Sequence, residues 1–478
     1  MRAFVKRHLV LFILCSFNLM GYGQIMITRK DSLLADLLTL KDSLTASYPS
    51  LYLHNSPAKI DLMFSDAAGR IDNHTTDIRF FNHVKSILSG LKDGHLYAKP
   101  SASISKQLET DRVFIPLRLH FDGKSALLVH SLSKECPVGT ELLRINGQTI
   151  SAIRTELFKY IVGDGDVISK KTIILNNVFH FYYLLAYGKQ TQFKILLRTP
   201  DGTVTEKIVQ AVSEADIPAS ISSGSKEKLL TFEITKDKIA IMCIRSFDQS
   251  ALSEEGLDFP RFLESAFGQL HQRKINKLII DLRDNGGGRD LYGALLYRYL
   301  ASGPFRYYRQ LSAVTDKLPY QEFSKNVSSF NDLSPALLNK TANGFILKPK
   351  AHSNLALQRP FAHPYARKLL FMINGLTFST AAEFCAIAKS NSRGLFVGQE
   401  TGGAIEGNTS GVQAKLILPN TKITVSFGLI RYQMAINRKH MGRGIMPDYL
   451  IIPTLYDIIA HKDAELDFAL NLFRKKRG

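Results

Sequence analysis

The chain has 478 residues, 45% of them apolar and 22% charged, which is enough apolar material for more than one core and excludes a disordered polymer. Its formal net charge of +19 comes from 61 lysines and arginines against 42 acids, spread along the chain, with one dense cluster at Arg474–Lys475–Lys476–Arg477. No nucleic-acid motif accompanies that charge, so it reads as a solvated basic surface and no nucleic-acid partner is expected.

Residues 1–23 start with Arg2, Lys6 and Arg7, run through an apolar stretch from Leu9 to Phe17, and carry small residues at Gly21 and Gly23. This is the pattern of a secretory signal peptide cut near Gly23. The apolar run falls short of the roughly 20 residues a membrane span needs. Phe12, Ile13 and Leu14 are too bulky before Cys15 for a lipidation site. No later stretch spans a membrane, so an exported protein, periplasmic or extracellular, without stable membrane insertion is expected. Beyond the leader, Cys136, Cys243 and Cys385 are too scattered for a disulfide framework. No Cys/His spacing fits zinc, and neither a metal nor another cofactor is expected.

Residues 24–111 read as an N-terminal helical region. Leu33, Leu34, Leu37, Leu38, Leu40 and Leu44 recur at helical spacings after the start signal Asp31–Ser32, and Pro49 ends that helix. A second periodic stretch holds Ile60, Met63, Phe64 and Ala67, and a third runs over residues 78–91. The tight turn Lys92–Asp93–Gly94–His95 follows, then strand-like Leu96–Tyr97–Ala98.

Residues 112–212 read as a β-rich module. Strand patterns occur at 113–115, 117–119, 126–129, 193–197 and 204–209, and Asn146–Gly147 marks a hairpin turn. Residues 164–188 interrupt them as a mostly helical insertion. Residues 213–228, rich in Ser, Ala and Gly, form a linker. From 229 to 478 strands and helices alternate: strands at 239–244, 277–282, 369–373 and 395–397, helices near 259–272, 291–300 and 380–390. This predicts an α/β unit with a mainly parallel sheet. Residues 312–364 are weakly patterned and read as an irregular insertion, and short β runs follow at 414–418 and 423–427.

Two strand ends carry chemistry. The strand 369–373 leads through Asn374–Gly375–Leu376–Thr377–Phe378 to Ser379, which opens a helix. A helix N-terminus favours negative charge, and the Thr380 N–H can point at an oxyanion. Ser379 is therefore the candidate nucleophile, although serine at such a place commonly just caps the helix. The strand 277–282 ends in Asp281–Leu282–Arg283–Asp284–Asn285–Gly286–Gly287–Gly288, whose glycines let backbone approach a ligand closely and lack the ending of a P-loop. A serine needs a base, and of thirteen histidines His95, in its tight turn at a region boundary, has the most suggestive setting.

Together these segments resemble the tail-specific, or C-terminal processing, serine peptidase family, which includes the tricorn core and interphotoreceptor retinoid-binding protein. The matching residues are Asp93–Gly94–His95, Arg144–Ile145–Asn146–Gly147, the Asp281–Gly288 loop, residues 374–383, Val397–Gly398–Gln399–Glu400–Thr401–Gly402–Gly403 and Gly444–Ile445–Met446–Pro447–Asp448, in the family's order. The resemblance implies a ClpP/crotonase-like α/β catalytic core, the N-terminal helical region and a PDZ-like β-rich module. The carboxylate loop of a PDZ domain is not matched, since Phe114–Ile115–Pro116–Leu117 stands in its place. Tail-specific members use a Ser–Lys dyad, but Ala404 occupies the lysine position, and Lys389 and Lys415 do not fit the motif. The tricorn-like branch uses a histidine, which His95 matches. Its glutamate would fall near Met441, leaving the orienting acid open, with Glu406 and Asp448 as weak choices.

The sequence thus predicts an exported serine endopeptidase acting on peptide or protein substrates, with Ser379 as nucleophile, His95 as base and an oxyanion hole from the N–H groups of Thr380 and Gly287. Glu383, one turn after Ser379, is read as structural and bonded to a neighbouring loop. Asp281 and Arg283 are read as fixing the glycine loop. The rival readings are a non-catalytic binder of apolar ligands or peptides on the same scaffold, motivated by the incomplete catalytic set, and a hydrolase of non-peptide esters or amides. The oligomeric state stays open.

Overall fold

A computed structural model describes residues 28–133, 136–217, 228–316, 335–437 and 442–475. The expected leader, most of the linker, Met441 and the last three residues lie outside the described residues.

Three helices open the described chain: α1 (Arg29–Ser47), α2 (Pro57–Gly69) and α3 (Asp77–Gly90). Thr28, Ser56 and Thr76 cap them by accepting first-turn N–H groups, and Pro57 sits where its missing N–H costs nothing. The turn after α3 feeds a short strand, β1 (Tyr97–Lys99), and then α4 (Ala102–Thr110), a helix the sequence reading left out.

The β-rich module contains β2 (Leu117–Asp122), β3 (Ser125–Ser131), β4 (Glu141–Ile145), α5 (Ile150–Phe158), α6 (Ser169–Tyr187), β5 (Gln192–Arg198) and β6 (Val204–Gln210). Its sheet runs β2–β3–β4–β5–β6, antiparallel throughout. It buries a hydrophobic cluster of its own, including Leu119, Leu128, Leu142, Ile153, Leu175 and Ile195.

The α/β core begins with β7 (Leu230–Ile234) and β8 (Ile239–Ile244), then α7 (Phe259–Gln272), β9 (Lys277–Asp281) and α8 (Asp290–Arg298). After β10 (Tyr308–Ala313), β11 (Leu338–Thr341) and β12 (Gly344–Leu347) come β13 (Lys368–Ile373), α9 (Thr380–Ser390) and β14 (Leu395–Gly398). A long hairpin, β15 (Gly407–Ile417) and β16 (Thr424–Met434), precedes β17 (Tyr449–Leu450) and α10 (Ala464–Arg474). The main sheet has the order β7–β8–β9–β13–β14–β17, parallel except for the antiparallel β7 edge. Strand alternation divides its side chains between two faces. Ala240, Met242, Leu278, Ile280 and Phe371 join the cluster under α7, α8 and α9, whereas Ile239, Ile241, Ile279, Leu370 and Met372 pack against Ala469 and Phe473 of α10.

A second sheet, β1–β16–β10–β12–β11 with β15 beside β16, corrects one expectation. Part of the stretch read as an irregular insertion contributes short strands to it. Strands of four to six residues, some with mostly exposed side chains, leave little alternation to read. The strand after His95 also belongs to this sheet: β1 pairs antiparallel with β16, Tyr97 opposite Ser426 and Ala98 opposite Val425. The apolar side chains of α1 to α3 likewise merge with those of the core in one cluster. The His95 turn is thereby anchored to the second sheet, whose buried residues pack in one cluster with those of the main sheet that carries Ser379.

Candidate active site

Strands β9 and β13 are neighbours, so their carboxyl ends bring the glycine loop beside the serine loop. The two loops are cross-bonded. The Phe378 N–H donates to Asn285 O (2.9 Å), Thr377 Oγ1 donates to Leu282 O (2.9 Å), and Thr380 Oγ1 donates to Gly288 O (2.9 Å). Asn285 is fully buried and donates from Nδ2 to Ile244 O (2.9 Å). The reading of Asp281 and Arg283 extends further than a local bond. Arg283 donates to Asp281, to Asp463 and to Glu465 at 2.6 to 3.0 Å, tying the end of β9 to the start of α10.

Ser379 has φ +52° and ψ −129°, a conformation that non-glycine residues avoid. Its side chain makes no capping bond to α9. The hydroxyl instead lies 3.1 Å from His95 Nε2. Gly287, at φ +100°, lies so close that a Cβ built there would sit 2.6 Å from the Ser379 Cβ and 2.9 Å from the Thr380 nitrogen. Thr380 is the first residue of α9, where an N–H has no intrahelical acceptor. The Gly287 N–H donates to Asn285 Oδ1 (2.9 Å).

His95 stacks on the Phe378 ring, centroids 4.5 Å apart. Its Nδ1 faces Asp93 Oδ1 at 3.6 Å, an ion-pair distance longer than a hydrogen bond. With the ring proton on Nδ1, Nε2 is free to accept from the serine hydroxyl. Asp93 is buried; its Oδ1 accepts the His95 backbone N–H (2.8 Å) and its Oδ2 accepts the Tyr48 hydroxyl (2.6 Å). Burial alone would push the Asp93 carboxyl up, but the interactions with His95 and Tyr48 outweigh it and hold it below its ordinary value.

A second acid, Asp164, lies in the loop before α6. It accepts the Gly94 N–H at Oδ1 (2.6 Å) and the Ala404 N–H at Oδ2 (3.0 Å). Asp93, His95 and Asp164 each offer one ligand atom, all within 4.8 Å of one another, the one group among the described residues spaced for a metal ion. All four carboxylate oxygens already accept an N–H or O–H, which describes a hydrogen-bonded charge cluster better than a vacant coordination site.

The structure therefore brings Ser379, His95, Thr380 and Gly287 together. It does not bring Asp448 to His95, since Asp448 pairs with Lys389 (2.6 Å) and accepts the Phe396 N–H (2.8 Å). Glu406 accepts the Gly442 N–H (2.7 Å) and is pushed up to about 7, first by burial. Asp93 is the carboxylate beside the imidazole, and sequence reasoning missed it because Asp-Gly already reads as turn chemistry. Its two-residue offset from His95 was the available signal. Glu383 is buried in α9 and accepts from Tyr308 of β10 (2.8 Å) and Asn408 of β15 (2.7 Å).

Residues 238–451 match the model of peptidase family S41. A search of curated protein sequences returns no match. Among solved structures, mature CPAF is similar at 16% identity and TM-score 0.60, covering 93% of this chain and 96% of the other. Mature CPAF complexed with lactacystin is similar at 16% identity and TM-score 0.59, over 93% and 97%. At that identity the likeness concerns the fold: an α/β ClpP/crotonase-like core with an N-terminal helical region and a β-rich module. The core, which carries Ser379 and the glycine loop, is the part that resembles S41 peptidases.

Proposed function

We propose that the protein is an exported serine-type peptidase working through a Ser–His acyl-enzyme mechanism. The observation that carries this reading is the 3.1 Å approach of His95 Nε2 to Ser379 Oγ, with Ser379 in a strained turn at the head of α9. The S41 match of the core supports peptide bonds as the target. Ser379 attacks the scissile carbonyl, and His95 takes its proton and returns it to the leaving amine. Asp93 orients the imidazole and stabilises its cation. The Thr380 N–H receives the oxyanion, and the Gly287 N–H joins it only by sharing or releasing its bond to Asn285. A Ser–His rather than a Ser–Lys pair is favoured by Ala404 at the lysine position, whose N–H is spent on Asp164.

Labelling of the purified mature protein by a fluorophosphonate tests the reading. Labelling is expected in the wild type and should vanish in Ser379→Ala and in His95→Ala. A Ser379→Ala protein that labels or hydrolyses peptides like the wild type overturns the mechanism. A wild type that neither labels nor cleaves overturns the peptidase reading.

A further inference from the structure

Lys170, near the start of α6, is a buried lysine with no carboxylate at ion-pair distance among the described residues; it is 9% exposed. Its Nζ donates to Gly94 O (3.3 Å) and sits 3.3 Å from the centroid of the Phe378 ring. Phe378 precedes Ser379 and carries the stacked His95 ring, so the lysine reaches the site through two residues that touch His95 or flank it. Asp164 and Asp93 are 4% and 6% exposed. A buried ammonium is costly, and burial pulls Lys170 down to about 8, against the opposing pull of Asp164 and Asp93. Burial and the neighbouring Asp93 push Asp164 up.

We propose that Lys170 and Asp164, both supplied by the β-rich module, are positioning residues that set the charge balance around His95. With Asp93 and Asp164 as anions and Lys170 as a cation, the cluster carries one net negative charge before the serine proton is transferred. When His95 takes the serine proton, the four groups become electroneutral. Lys170 offsets the second carboxylate, which the Gly94 and Ala404 N–H groups anchor between the histidine turn and the core. Other titratable groups act on the cluster directly, or, for Lys92, Asp166 and Arg431, through its neighbours His54, Lys171 and Glu406. Tyr48, His54 and Lys92 approach from the helical region, Asp166 and Lys171 from the module. Glu383, Glu406 and Arg431 approach from the core.

This inference rests on the Ser–His reading, and its test separates the two. The rate of fluorophosphonate labelling is followed against pH for the full mature chain, with Lys170→Met, Asp164→Asn and the double variant. Removing the cation leaves excess negative charge, which favours the protonated imidazole and should move the acid limb up by about one pH unit. Removing Asp164's charge should move it down by a similar amount. The double variant restores the wild-type net charge and should return the limb towards the wild-type position. A purely structural role would lower rates without opposite, cancelling shifts. Limbs that stay in place, or that move in the same direction, overturn the proposal while the wild type still labels. If Lys170→Met fails to unfold cooperatively in a thermal scan, the downward shift of Asp164→Asn decides alone. A wild type that does not label overturns the underlying mechanism and this inference with it.

Discussion

Asp93→Asn removes the charge beside His95 while keeping nearly the same shape. The carboxylate oxygen lies 3.6 Å from Nδ1, and both side chains are nearly buried, at 8% and 11% exposure, so solvent screens the pair little. At an effective dielectric constant of about 20, a unit charge pair at that distance is worth about 4.6 kcal/mol. At about 1.4 kcal/mol per decade this sets a ceiling of roughly two-thousandfold on the loss of imidazolium stabilisation. Because the contact is an ion pair rather than a hydrogen bond, kcat/KM for a peptide substrate should fall by about a hundred- to a thousandfold. Tyr48→Phe serves as the control. It removes the 2.6 Å bond to Asp93 Oδ2 without altering the charge, and should cost less than about tenfold. Both are measured by peptide hydrolysis under kcat/KM conditions, with thermal unfolding to confirm a folded protein. Asp93→Asn within about threefold of the wild type, or a Tyr48→Phe loss equal to it, would refute Asp93 as the orienting acid.

Two further substitutions probe the surroundings. Gly287→Ala places a Cβ 2.6 Å from the Ser379 Cβ at a φ of +100°; it should lower stability by about 1–3 kcal/mol and labelling by at least about tenfold, and wild-type values of both would contradict the loop geometry. Glu383 is pushed up to about 7, by burial first and then by Asp290. The Tyr308 hydroxyl lies between two acids, Asp290 at 3.0 Å and Glu383 at 2.8 Å, and has one proton to donate, so a proton on the Glu383 carboxyl relieves the negative charge crowded around it. Because the folded state holds this proton more tightly, the stabilisation is complete below the ordinary carboxyl value near 4.5 and is lost as pH rises through about 7, on the order of 3 kcal/mol at most. Urea unfolding at pH 5 and pH 8 should show Glu383→Gln losing part of that fall, with Glu406 still titrating in the same window. An unchanged pH dependence would contradict the assignment.

Much of the fold was legible because its signals are local. The periodic leucines of α1 give its apolar stripe, and the strand-to-glycine and strand-to-serine breaks give the carboxyl ends of β9 and β13. The long hairpin of β15 and β16 was read only as two short runs: the outer half of β15 carries Gly, Asn, Ser and Gln with no alternating pattern, and although the outer half of β16 alternates Ile430, Tyr432 and Met434 with Arg431 and Gln433, its partner gave no strand signal to pair it with. Asp164 and Lys170 carried no local signal, because an acid in a loop and a lysine near a helix start ordinarily face solvent.

The sequence by itself determined the chain's α/β character, the glycine and serine loops at two strand ends, and the residue types able to perform acyl transfer. These follow from periodicity, turn chemistry and motif order, which are properties of short segments. Only the tertiary structure decided that Ser379 turns away from capping its helix towards His95, that Asp93 rather than Asp448 faces the imidazole, and that the β-rich module sends Asp164 and Lys170 into the same buried cluster. The reason is physical. Hydrogen-bond direction and buried charge balance depend on distances between segments hundreds of residues apart, such as the 284 positions separating His95 from Ser379, and no local pattern encodes such distances.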